Sequence, residues 1–83
     1  MNTAKYILSY KRIDDDASLC ADYVVLATAD TKVDISRDLD TFYNAFMESL
    51  KRNGTFVNSS MYEDYAKLDY TTGNIRLLIR YYI

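Results

Sequence analysis

Leu39, Phe42, Tyr43, Phe46, Met47 and Leu50 fall at i, i+3, i+4, i+7, i+8 and i+11. That spacing puts all of them on one stripe of an α-helix and on no single face of a strand. A one-sided helix has to lay its stripe against another element, so the remainder of the chain must supply a matching apolar surface. Ser36 or Asp38 can cap the start of this helix, Asp38 and Asp40 suit the positive end of its dipole, and Lys51, Arg52 and Gly54 suit its finish.

The flanking segments read with the two-residue period of strands. In residues 4–13, Tyr6, Leu8 and Tyr10 share one face while Lys5, Ile7, Ser9 and Lys11 share the other. After a polar turn at Asp14 to Ser18, the run Tyr23-Val24-Val25-Leu26 within 21–29 predicts a second strand, whose facing the pattern leaves open. Residues 65–70 and 75–83 predict two more, with Ala66, Leu68, Tyr70, Ile75, Leu77, Ile79 and Tyr81 on one side. Gly73 lies in the connecting loop, where a hairpin often needs positive φ. Ser60 and Glu63 have capping-box spacing, so a short helix from residue 61 competes with the strand at 65–70; strand takes precedence. The expectation is one α+β domain over residues 1–83, β-β-α-β-β, with a four-stranded, mainly antiparallel sheet and a single amphipathic helix on one face.

Nothing remains in the chain to cover the other face of that sheet. By alternation it carries Lys5, Ile7, Lys11, Tyr65, Lys67, Asp69, Arg76, Leu78, Arg80 and Tyr82. Composition decides what such a face can be used for. The chain has nine tyrosines among 83 residues, no histidine, tryptophan or proline, and one cysteine. Tyrosine, an apolar ring with a polar tip, serves interfaces well, whereas the absence of histidine removes the usual proton shuttle and metal ligand. Cys20 has no histidine base to activate it and reads as a small packed side chain. No phosphate-binding loop, dinucleotide fingerprint or zinc spacing occurs. The expectation is therefore no enzyme, no cofactor and no metal site.

Charge is segregated along the chain despite a net value of −2. Eight aspartates at 14, 15, 16, 22, 30, 34, 38 and 40 face only Lys32 and Arg37 within the same stretch. Asp14, Asp15 and Asp16 lack the alternating ligand spacing of a calcium loop and read as a solvated turn. The acidic stretch as a whole could instead occupy a basic groove on a partner. The functional expectation is a small interaction protein, an inhibitor or adaptor of the kind phages and mobile elements make. It would bind another protein through Tyr65, Arg76, Leu78, Arg80 and Tyr82 on the sheet face, or through Asp14, Asp15 and Asp16. The alternative is a single-stranded nucleic-acid module using Lys5, Lys11, Lys67, Arg76, Arg80, Tyr65 and Tyr82, since bases need π faces and phosphates need cations. No apolar run approaches a membrane span. A lone cysteine suits a reducing cytoplasm. A domain of this size gains from burying more surface, which adds a homodimer through Ile7, Leu78 and Tyr82 to the expectations.

Overall fold

The computed structural model describes residues 5–14 and 22–81. The elements run β1 (Tyr6–Asp14), β2 (Val24–Ala29), α1 (Lys32–Arg52), β3 (Phe56–Met61), β4 (Tyr65–Tyr70) and β5 (Gly73–Tyr81). All five strands form one sheet in the order β2-β1-β5-β4-β3, every neighbouring pair antiparallel. The α+β class and the single helix agree with the sequence; the strand number does not. The additional strand is β3, Phe-Val-Asn-Ser-Ser-Met, which forms one edge of the sheet. A register shift between Phe56 and Asn58 breaks its alternation, which erases the period-two signal.

α1 begins earlier than its stripe suggests. Thr31, in extended conformation, caps it by accepting a hydrogen bond from the Asp34 backbone N–H at 3.2 Å, so neither Ser36 nor Asp38 is the cap. The extra turn contributes Ile35, which is fully buried and extends the stripe by one i−4 step from Leu39. At the other end Gly54 takes φ +72°, while its N–H and that of Thr55 bond back to the carbonyls of Lys51 and Leu50. Those two bonds satisfy carbonyls that the last helical turn leaves open.

The stripe lies on the sheet face formed by Leu8, Ala66, Leu77 and Ile79, which cluster with Ile35 and Leu39. A second cluster of Leu68, Tyr70 and Ile75 packs under Met47, Leu50 and Phe56. Phe46, half-buried, bridges both, its ring 5.5 Å from that of Tyr10 and tilted 33° to it. Tyr81 has the parity of this face but is exposed, its ring 5.0 Å from that of Tyr6 and tilted 47° to it.

Gly73 corrects a second expectation. Gly54 is the glycine with positive φ among the described residues, so the Thr71-Thr72 turn is made without one. The glycine serves a close approach instead: a Cβ at position 73 would collide with the Ile13 carbonyl oxygen and stand 2.9 Å from Asp14 Cα. Gly73 pairs with Tyr70 on one side and Asp14 on the other, so β1 presses directly against the hairpin end. The competing helix from residue 61 does not form; Met61 closes β3 and residues 62–64 turn into β4.

Candidate functional site

The strand registers build the uncovered face in rows that run across the sheet. Lys11 of β1 lies directly opposite Arg76 of β5, and Arg76 lies directly opposite Lys67 of β4, so three cations occupy one row on three adjacent strands. Ser60 of β3 continues that row. The next row holds Ser9, Leu78 and Tyr65, with Val25 of β2 opposite Ser9. Beyond it Ile7 faces Arg80 and Thr28. On the other side of the cationic row stand Ile13, Asn74, Asp69 and Asn58.

Tyr23, from the segment whose facing the sequence left open, belongs to this face. Lys11 Nζ and Arg80 Cζ both lie 5.6 Å from its ring centroid, so one tyrosine is flanked by two cations. Tyr65 stacks on Tyr62 at 6.1 Å. Among described residues the carboxylate of Asp69 reaches the row, 3.6 Å from Lys67 Nζ, and Arg76 Nε donates to Asn74 Oδ1 at 3.2 Å. Ser9 is buried between its neighbours, whereas Val25 is well exposed at the free edge.

The expected residues Lys11, Tyr65, Lys67, Arg76, Leu78 and Arg80 are therefore brought together on one surface. Tyr82, Asp15, Asp16 and Cys20 lie outside the described residues. Asp14 is at the far end of β1 and is not a free carboxylate. The Tyr70 hydroxyl donates to its Oδ1 at 2.6 Å and Arg12 Nε lies 3.3 Å from the same oxygen, while Arg12 Nε also donates to the Tyr70 oxygen at 2.9 Å. The hydrogen bond from Tyr70, followed by the Arg12 contact, holds the Asp14 carboxyl below its ordinary range. Burial, and the bond it donates to Asp14, raise the Tyr70 phenol. This cluster borders a cleft of about 370 Å³ between the helix C-terminus and the sheet, lined by Tyr10, Phe46, Leu50 and Ile75.

At the opposite end Lys32 pairs with Glu63, tying the first helical turn to the β3–β4 turn; each raises or lowers the other's pKa in the direction of the charged form. Among the described residues no cluster of three His, Cys, Asp or Glu side chains is placed to hold a metal, and no helix is long and apolar enough to cross a membrane. Sequence reasoning missed Tyr23 because it lies just ahead of β2, whose register against β1 shifts at Leu26, so the segment carries no steady alternation. Its signal would have been the cation register on β1. No family, curated protein or solved structure matches the chain.

Proposed function

We propose that this chain is a small non-enzymatic interaction protein, an inhibitor or adaptor, that binds another protein through the uncovered face of its sheet. The observation carrying this reading is the register that gathers Lys11, Lys67, Arg76 and Arg80 with Tyr23, Tyr65 and Leu78 on the sheet face opposite α1, which no element among the described residues covers. Arg and Tyr dominate binding energetics where they surround a small apolar centre, here Ile7 and Leu78. The acidic alternative is weaker at Asp14, whose carboxylate is already held by Tyr70 and Arg12. A reducing cytoplasm, suggested by the single cysteine, belongs to the same reading.

A second reading is single-stranded nucleic acid on the same surface, since Lys11, Lys67, Arg76 and Arg80 there could meet phosphates. The two are separated by affinity capture from source cells with nuclease treatment, comparing the wild type with Leu78→Asp. The expected result is a protein retained by the wild type, resistant to nuclease and lost with the variant. Capture that Leu78→Asp leaves unchanged would remove the sheet face from the reading, and a nuclease-sensitive catch would favour nucleic acid.

A further inference from the structure

Resting on the sheet-face reading, we infer that the partner presents an acidic helix, with carboxylates at i, i+4 and i+7 along one face, laid across the strands over the Lys67–Arg76–Lys11 row. Like charges directly opposite one another on a sheet are destabilising, and here two such pairs share Arg76. Among the described residues one carboxylate, that of Asp69, reaches the row, and it engages Lys67 at its end. Arg76 at the centre is left with the neutral Asn74 and Lys11 with the face of Tyr23. The deficit is therefore of negative charge, and it is linear.

Its geometry selects the donor. Adjacent strands are about 4.8 Å apart, so the three cations span about 10 Å perpendicular to the strands. Neighbouring positions on a helix face are about 5–6 Å apart and i to i+7 rises about 10.5 Å, which matches that row. An extended acidic strand offers same-face carboxylates only every 6.6 Å or so, which overshoots it. Single-stranded nucleic acid would require open aromatic faces among the cations. Tyr23 already has Lys11 and Arg80 against its ring, and Tyr65 is stacked on Tyr62. Tyr62 is well exposed but sits in the turn after β3, off the row. The Ser9–Leu78–Tyr65 row beside the cations offers the helix flank a place for an apolar residue. A second copy of the chain docked face to face would instead oppose cation to cation.

The test uses the full chain and labelled probes in fluorescence anisotropy at two salt concentrations. The probes are an alanine-based helical peptide with Glu at i, i+4 and i+7, a peptide of the same composition with its Glu residues spread around the helix, and a 15-nucleotide oligothymidylate. The aligned peptide should bind more tightly than the spread one, and affinity should fall with salt. Arg76→Glu should weaken it by about tenfold or more. Because that substitution converts both like-charge pairs into opposite-charge pairs, the variant should melt no lower than the parent, which separates lost binding from lost fold. Equal affinity for the two peptides, no binding of the aligned peptide, or an unchanged affinity in Arg76→Glu would overturn the inference. Tighter binding of oligothymidylate than of the aligned peptide would also overturn it, in favour of nucleic acid. Failure here with Leu78-dependent protein capture intact would leave the sheet-face reading standing and remove only the acidic helix.

Discussion

Gly73 shows how much a single residue can decide in a sheet this small. Its missing Cβ lets β1 and β5 close at the hairpin end, so Gly73→Ala must push β1 away or break the Asp14 pairing. The expected cost is about 1–3 kcal/mol in urea denaturation, the range for forced overpacking. Gly54→Ala meets no neighbour and strains only its own left-handed φ, for about 1–2 kcal/mol. The Asp14–Tyr70–Arg12 cluster makes a prediction in pH. A carboxyl held below its unfolded value contributes stability that is present above that value and lost as pH falls through the folded one. Thermal melts should therefore show a decline below about pH 4, and Asp14→Asn should flatten that limb. For Tyr70 the sign reverses: a raised phenol contributes below its ordinary value near 10 and loses the contribution as pH climbs past it. Tyr70→Phe should cost about 1 kcal/mol at neutral pH by removing the hydroxyl's bonds to Asp14 and Arg12.

At the scale of elements, the helix and the sheet carry different burdens. α1 is anchored by side chains that are wholly out of water, so Leu39→Ala should lose about 2–5 kcal/mol by two-state denaturation. Phe46, taken from the periodicity as a central core residue, is half-buried; Phe46→Ala should cost nearer 2 kcal/mol, its partial contact with Tyr10 included. The open face works in the opposite direction. Arg76→Glu should raise stability by about 0.5–1.5 kcal/mol at low salt, since each opposite-charge pair across strands contributes a few tenths to about one kcal/mol. A melt showing that variant to be less stable would mean the cations are already compensated within the chain. Both edges carry a register shift, at Leu8/Ser9 against β2 and at Phe56/Asn58 in β3, and β2 has no charged residue and leaves Val24 and Val25 in water.

For the molecule as a whole, the net charge of −2 conceals a sheet face whose cations outnumber its carboxylates. Association through that face should be salt-sensitive despite the overall sign, because steering depends on the local field more than on net charge. The same segregation bears on self-association. A homodimer through Ile7 and Leu78 would set Lys11, Lys67, Arg76 and Arg80 against their own copies, so sedimentation at tens of micromolar and low salt should show a monomer. A dimer under those conditions, abolished by Leu78→Asp, would reverse that expectation.

The helix and four of the strands were legible in the sequence, and so was the side presented by the helix, β1, β4 and β5, because apolar periodicity is a local property that survives in one dimension; the facing of β2 was not. Leu39 to Leu50 could only be a helical stripe, and Leu77 and Ile79 could only share a face. β3 was not legible, since an edge strand with a register shift and polar Asn58, Ser59 and Ser60 has no period to read. Nor was the start of α1, because Ser, Thr and Asp are interchangeable as caps and three stand in its first turns. The membership of the open face came from alternation, but its arrangement did not. Lys11 is far in sequence from Lys67 and Arg76, which face each other across one hairpin, and the three become one row only when β1 pairs with β5. Tyr23 joins them from just ahead of β2, and the Asp14 carboxylate is engaged by the hydroxyl of Tyr70, 56 residues away. Strand order and register are set by which apolar sets bury together, and that is a property of the assembled sheet.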